Sequence, residues 1–451
     1  MPMETEILIL GGSLSAIATA LELKAQGREV VLATHRSYLG EDLCDPLRLA
    51  LAADLDLRDP LMAELFAQPM QEGRLFRPMW LKQRLDAVME AADIPVLLGF
   101  APGEIFTDEA GQLAGVSLCS RGGRRWISCA QVVDGTVRLE AVRLAGLPVI
   151  EPRGTVRWRR RILSEAPVAG WEVEGVFPDS GLQLLAREGE GTLGGGDWGS
   201  WMALEISARE AAYVPGQSMS ADGIELLDPV QPGTAEALGG RLHALGGFTR
   251  PDAAVAAGRS LGGSLAVLPV VAAVRSCSQV ALPAGVDAME LGADPELPPG
   301  GFAAVTEVDV LVVGGGTGGA PAGIAAARGG ARTLVTEFLS GLGGVGTLGM
   351  IGRYWYGNRV GFTAEVDAGS AALTTRHMKP GNWDVEAKMQ WLQGQIHTAG
   401  GQVWYKTMAA GALRRGADRV CGAVVCTPQG RVAVLAKVVI DATGSADVAA
   451  A

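Results

Sequence analysis

The chain is poor in the residues that build metal and disulfide sites. It has four histidines, and its six cysteines (Cys44, Cys119, Cys129, Cys277, Cys421, Cys426) include no C-x-x-C pair. That pattern offers no metal site and reads as six reduced thiols, most of them buried. Cys421 and Cys426 stand five apart on one expected strand, which turns them to opposite faces. Basic residues are outnumbered, 38 Lys and Arg against 49 Asp and Glu, for a formal charge of −11. Nucleic acid is therefore not an expected partner, since phosphate binding needs a basic face. No apolar run approaches the roughly 18 residues of a membrane span; Ser264–Val274 is too short. MPMETEILIL lacks the basic start and long apolar core of a signal peptide. The expectation is a cytoplasmic protein that acts on a small molecule and not on a membrane, with a homo-oligomer left open.

What is abundant is glycine, 63 of 451 residues, in a chain that is 48% hydrophobic. This is a turn-rich globular composition, long enough for two or three domains. The glycines concentrate after an apolar, β-branched run, Val310–Val313. There the chain reads strand, then Gly314-Gly315-Gly316-Thr317-Gly318-Gly319, then a small-residue helix Ala320–Arg328, then strand Thr333–Thr336 and Glu337. This strand, G-x-G-x-x-G, helix, strand and acid are the parts and order of a dinucleotide-binding unit. Gly314 permits the tight turn, Gly316 lets backbone approach a pyrophosphate, and Gly319 seats the helix close to the strand. Thr317 and Gly318 open the helix, whose N-terminal amides favour an anion. Pro321 falls in the first turn, where a missing N–H is tolerated. Glu337 is placed to accept from ribose hydroxyls.

Residues 6–34 look like a worn copy of this unit. Gly11 falls on Gly314 and Gly40 on Gly343 at one offset of 303, without a gap. The same offset sets Ser13 on Gly316, Ala16 on Gly319 and Thr34 on Glu337, so the first copy lacks two glycines and the acid. The copies continue. Residues 77–136 pair with 383–443, each running helix, short strand (Val96–Leu98 or Val403–Tyr405), β-meander, and a strand ending in Asp-small-Thr at Asp134–Thr136 or Asp441–Thr443. A repeat this long reads as duplicated domains, not as a solenoid.

Between the copies, Thr155–Arg159, Trp171–Val176 and Trp201–Ile206 alternate like strands of an inserted antiparallel sheet. Glu190–Gly199 and Val214–Gly223 read as loops, and Asp252–Gly263 as a small-residue strand and turn. The expected fold is α/β: two tandem Rossmann-like FAD/NAD(P)-binding folds, the first degenerate, with an inserted antiparallel β-rich domain. The expected boundaries are 1–150 for the degenerate fold and 151–292 for the β-rich insert plus the closing segment of the first fold. A linker covers 293–304, and 305–451 holds the intact fold, expected to be truncated at its C-terminus.

After Glu337, the stretch Phe338–Met350 carries Gly341, Gly343, Gly344, Gly346 and Gly349, a loop on which a flat ring system can lie against backbone. Together the V-V-G-G-G-x-x-G, L-G-G-x-G-T and V-V-I-D-A-T-G segments resemble FAD-dependent oxidoreductases of the two-dinucleotide-binding-fold type. These are the grouping around glutathione reductase and fumarate reductase, and the resemblance is greatest to the branch called FAD-dependent oxidoreductase. The likeness is good over 308–451 and faint over 6–140. It implies FAD as cofactor, with Gly314, Gly316 and Gly319 on the pyrophosphate and Glu337 on the adenosine ribose. It also implies Gly343, Gly344 and Thr347 near the ribityl chain and isoalloxazine, Val403–Met408 (ending at Met408) flanking the adenine, and Thr443-Gly444 closing over the cofactor. Ala254–Gly262 resembles the late segment that completes such a pocket, yet it belongs to the first copy.

For chemistry beyond the cofactor the sequence offers little. Arg353–Arg359 mixes aromatics, Tyr356 among them, with two guanidiniums; it reads as a packed loop with solvated arginines, or as a surface for an anionic or carbohydrate-like substrate. His377 reads as a surface residue or as a base near the flavin N5. His397, at a helix end, reads as structural. Tyr356, Arg359 and His377 are thus the catalytic candidates. The expected reaction is hydride transfer from a substrate C–H to the flavin N5. Two alternatives stand beside it: NAD(P) in the same fold, or a non-catalytic nucleotide-binding or assembly module.

Overall fold

The computed structural model describes residues 3–71, 73–219, 224–228, 230–232, 238–290, 292, 294, 297–298 and 300–451. Parts of the expected Val214–Gly223 loop and of the 293–304 linker lie outside them.

Two mixed sheets dominate, and their strands follow the same order. In the first, the parallel strands Val96–Leu98, Val30–Thr34 and Met3–Leu10 continue into the meander Gly123–Asp134, Leu113–Ser120 and Ala101–Thr107, edged by Arg275–Ser276. In the second, Gln402–Trp404, Thr333–Thr336 and Ala304–Val313 continue into Gly430–Asp441, Arg419–Thr427 and Met408–Arg415, edged by Val286–Glu290. The apolar runs read as strands do form the parallel centres, with Leu311, Val312 and Val313 buried as Leu8, Ile9 and Leu10 are. Both faces of a parallel sheet are covered, which is why these strands are apolar without alternation. On one face of each sheet lies the helix after the first strand, Leu14–Ala25 or Gly319–Arg328.

The segment between the sheets is partly helical. Gly154–Ser164, Glu172–Val176 and Gln183–Leu193 form the antiparallel sheet expected there, with two short strands added. The expected strand Trp201–Ile206, however, lies in the helix Trp198–Ala211, and the Glu190–Gly199 loop is shortened to a few residues. Asp197 explains the difference: its carboxylate accepts from the Ser200 amide and caps the helix (3.0 Å). Trp198, Trp201, Met202, Glu205, Ile206 and Arg209 are all buried, a helical and not a two-residue period.

Asp252–Gly263 is likewise a helix, Pro251–Ser264, with proline in its first turn. Its glycines serve packing and not a turn. A Cβ on Gly258 would stand 2.2 Å from the Ser15 carbonyl oxygen, and one on Gly262 would stand 2.9 Å from the Glu22 Cβ. The helix thus lies against Leu14–Ala25 at backbone contact. Just before it, Leu242–Ala244 pairs in parallel with Val132–Asp134 and adds a strand to the first sheet.

The two sheets meet through Ala101–Thr107 and the meander of the second. Glu104, fully buried, accepts from Arg124 (2.6 Å) on its own sheet and Arg431 (3.0 Å) on the other, and Glu290 pairs with both guanidiniums. The six cysteines are free thiols, five of them buried. Among the described residues no helix is long and apolar enough to cross a membrane.

Candidate cofactor site

The turn after Val313 takes the conformation its glycines predict. Gly314 has φ +97°, and a Cβ there would stand 2.3 Å from the Ala442 carbonyl oxygen. Gly319 leaves no room either: its Cβ would come within 1.8 Å of the Gly314 oxygen. Gly316 and Gly318 differ, since among the described residues nothing lies within 4 Å of a Cβ at either. No side chain caps the helix that follows. Two of these glycines therefore close the turn, while Gly316 and Gly318 leave open space before an uncapped helix start, where backbone amides and the helix dipole favour an anion.

Glu337 is tied to this loop. Its carboxylate accepts from the Gly315 amide (2.8 Å) and from the Leu339 amide (2.8 Å). Burial pushes its pKa up while these amides pull it down, helped by the nearby Arg121 guanidinium. Arg121 arrives from the first sheet and donates to Ser445 Oγ (2.6 Å), beside the closing turn of the second fold. Sequence reading did not single it out, because nothing local ties residue 121 to residue 445.

The Gly-rich loop folds back on the turn. The Gly343 amide donates to the Gly315 carbonyl (2.9 Å), Thr317 Oγ1 to the Gly343 carbonyl (3.3 Å), and a Cβ on Gly344 would stand 3.0 Å from the Gly316 Cα. Thr347 is wholly buried and donates to the Leu342 carbonyl (2.6 Å), so its side chain braces the loop from beneath. Met408 is buried among Ala101, Cys119, Cys426 and Phe338. Asp441 accepts from the Thr443 amide and hydroxyl (3.1 and 2.7 Å), fixing the turn in which Gly444 has φ +81°.

The catalytic candidates are not gathered at one point. His377 and Tyr356 are exposed, Tyr356 almost completely at 96%. Arg359 is held by Asp367 (2.7 Å). A groove of about 610 Å³ runs beside them, bordered by Met350, Arg353, Trp355, Arg376 and Trp383, and none of the three lines it. His397, at its helix end, meets Glu210 of the insert (2.8 Å).

The first fold repeats this scaffold with different contents. Gly11 has the same φ, +97°, and the Gly40 amide donates to the Gly12 carbonyl (2.7 Å) as Gly343 does to Gly315. Asp134 accepts from Thr136 as Asp441 does from Thr443. The helix–turn contact that is Gly319 on Ala442 in one fold is Ala16 on Gly135 in the other, with the single methyl moved across. The loss of the third glycine is thus compensated. The phosphate-binding space is not preserved. Ser13 Oγ caps its own helix and donates to the Gly135 carbonyl (2.7 Å). Glu41 accepts from the Gly12 amide (3.2 Å) and from Thr34 (2.9 Å), and Asp42 accepts from the Leu14 amide (3.2 Å). Asp42 thus sits on an amide of the helix start, while Glu41 takes on the Gly12 amide the place that Glu337 takes on the Gly315 amide of the second fold. The signal was present in the sequence: the 303-residue offset sets Glu41 on Gly344 and Asp42 on Val345.

A parallel sheet, a glycine turn open to an uncapped helix, and an acid at the end of the next strand define a dinucleotide-binding protein of the Rossmann-like class. Residues 309–451 match the model of the family described as FAD dependent oxidoreductase. No curated protein sequence matches the chain. Among solved structures it is similar to THI4 of Thermovibrio ammonificans, at 25% identity over 32% of this chain and 60% of that one, TM-score 0.27. It is also similar to AlpK (13% identity, 57% of this chain, 60% of that one, TM-score 0.40) and to L-proline dehydrogenase from P. horikoshii (12%, 60% and 96%, TM-score 0.36). The chain spans about 60% of the length of the first solved structures it matches.

The cofactor is FAD, and the second fold fits it. Gly316 and Gly318 leave room for a pyrophosphate at the helix start, and Glu337 keeps lone pairs beyond its two amide bonds for ribose hydroxyls.

Proposed function

We propose that the chain is a flavoprotein oxidoreductase whose second fold carries FAD, and that its first fold is a cofactor-free scaffold descended from the same ancestor. The single observation that carries this reading is the contrast at the two helix starts: open space at Gly316 and Gly318 before an uncapped helix, against Ser13 Oγ on the Ala16 amide and Asp42 on the Leu14 amide. When bound, the cofactor supplies acceptance of a hydride at the flavin N5 from a substrate C–H bond. The protein's part is positioning. Gly314 and Gly319 hold the turn, Glu337 would hold the adenosine ribose, and the Gly343-Gly344 backbone would hold the ribityl and ring end. Arg353, Trp355 and Arg376 border a groove suited to an anionic or aromatic small molecule, with Arg376 steadied by Asp384 (3.4 Å).

Absorbance of the purified protein in the flavin bands, followed by anaerobic bleaching with candidate substrates, tests the reading. A yellow protein bleached by one of them is expected. A colourless protein that binds a nicotinamide dinucleotide would overturn the FAD assignment, and a yellow protein that no electron donor bleaches would overturn the oxidoreductase one.

A further inference from the structure

The two folds meet counterpart to counterpart. At an offset of 307, Ala101 falls on Met408, Cys119 on Cys426 and Arg124 on Arg431. The first four share one small buried cluster, and both guanidiniums serve Glu104 and Glu290. This is the reciprocity of a two-fold interface, where each side does to the other what is done to it. The hairpins just beyond the cluster obey it. Ser120-Arg121-Gly122-Gly123 and Thr427-Pro428-Gln429-Gly430 are the same turn. In each, the first hydroxyl donates to the last carbonyl (3.2 and 3.1 Å) and accepts from the third amide (3.2 and 3.1 Å). Gly123 has φ +110° and Gly430 φ +104°.

Each hairpin tip overhangs the other fold's loops. Pro428, from the second fold, lines a cavity beside Ser13, Gly135 and Thr136, the phosphate loop and closing turn of the first. Arg121, its counterpart, stands at the closing turn of the second. Its Nη2 donates to Ser445 Oγ (2.6 Å) and lies 3.5 Å from Asp447 Oδ2. It is also near enough to Glu337 to draw that carboxyl's pKa down. The closing turn and Glu337 flank the place left open at Gly316 and Gly318, so the tip of the first fold reaches the cofactor site of the second. Buried Cys119 and the ion-paired Arg124 fix the strands on either side of the tip. The Arg121 side chain is 49% exposed, and an ion pair this exposed holds a guanidinium only weakly.

We propose that Arg121 is a cofactor-binding residue lent by the first fold to the second, and that its guanidinium meets the diphosphate of the dinucleotide. The helix start supplies that diphosphate with amides and a partial charge. A guanidinium adds a full charge and a planar fork of donors that matches phosphate oxygens. In the reciprocal place the first fold receives Pro428, which offers neither charge nor donor. The inference rests on the flavin reading and deepens it, since the first fold then carries no cofactor yet completes the site of its neighbour.

The test is isothermal titration of the full chain, stripped of flavin, with FAD, ADP and adenosine. Arg121→Gln should weaken FAD and ADP about tenfold each and leave adenosine within about twofold, because adenosine lacks the diphosphate. Arg121→Lys should stay within about threefold of wild type for all three. The melting temperature of the flavin-free protein should be the same in both variants. FAD and ADP bound by Arg121→Gln as tightly as by wild type would overturn the proposal alone. So would equal weakening of FAD, ADP and adenosine, which would mean that Arg121 only shapes the turn. A wild-type chain that binds neither FAD nor ADP would overturn the flavin reading, and this inference with it.

Discussion

At the scale of single residues, the glycines of the second fold separate into two kinds, and the separation makes a sharp prediction. Gly314 and Gly319 have no room for a side chain, whereas Gly316 does. Gly316→Val should therefore fold normally yet lose FAD by about a hundredfold or more, roughly 3 kcal/mol, read as flavin absorbance per protein against an unchanged melting temperature. Ser13→Val should do the reverse: flavin content unchanged, and stability reduced by about 0.5–2 kcal/mol through loss of a helix cap. A Gly316→Val protein that stays yellow would contradict the assignment.

Glu41 makes a second prediction at this scale. Burial raises its pKa to about 8, and Asp42 is pushed up to about 6 by the same cause. The folded protein therefore binds more protons than the unfolded chain between the ordinary carboxylate range and pH 8. Stability contributed here is present at the acidic end of that window and declines as pH rises through it. Glu41→Gln should flatten the fall in denaturation midpoint from pH 5 to pH 8. An unchanged slope would show that Glu41 ionises normally. None of this was foreseen, although the pairing of Glu41 with Gly344 was readable. A sequence offset aligns positions, but it does not show that a side chain at the counterpart of Gly344 will reach the Gly12 amide and Thr34, the place Glu337 fills in the second fold.

At the scale of elements, legibility followed the strength of the local signal. Val310–Val313, Thr333–Thr336 and Val96–Leu98 were identified because buried parallel strands are continuous apolar runs. The helix Val385–Thr398 carries its own cap in Asp384, whose carboxylate accepts from the Glu386 amide (3.0 Å). Both misread elements are helices whose buried faces meet other parts of the chain. In Trp198–Ala211 the apolar residues meet both folds, so alternation over six residues imitated a strand. In Pro251–Ser264 the glycines that suggested a turn are fitted to a neighbouring helix far away in sequence, with Thr19 and Gly258 separated by 239 positions, a partner that no local window contains. The packing makes Gly258 a test. Gly258→Val should destabilise the first fold by about 1–3 kcal/mol in chemical denaturation, the penalty for overpacking, and leave FAD in place. A neutral effect would mean that the two helices can separate without loss.

At the scale of the whole molecule, the sheets have the same strand order and are joined by a buried charge cluster. Glu104, Arg124, Glu290 and Arg431 come from both sheets, and removing one partner strands the others away from water. Arg431→Met should cost about 3–5 kcal/mol, seen as a drop in the midpoint of unfolding. A loss under about 1 kcal/mol, the range of exposed pairs, would show that the two folds do not depend on this junction. The duplicated pattern was legible as an offset between residues, but the interface was not, since Glu104 and Arg431 are ordinary surface residue types until the sheets are placed together.

The central claim is asymmetry: one scaffold used twice, with the cofactor in the second copy only. The most direct test is the ratio of FAD to protein chain, measured by flavin absorbance after denaturation of protein reconstituted with excess FAD, in wild type and in Glu337→Ala and Thr34→Ala variants. The account predicts one FAD per chain in wild type and Thr34→Ala, and little or none in Glu337→Ala. A ratio of two, or flavin lost equally from both variants, would contradict it.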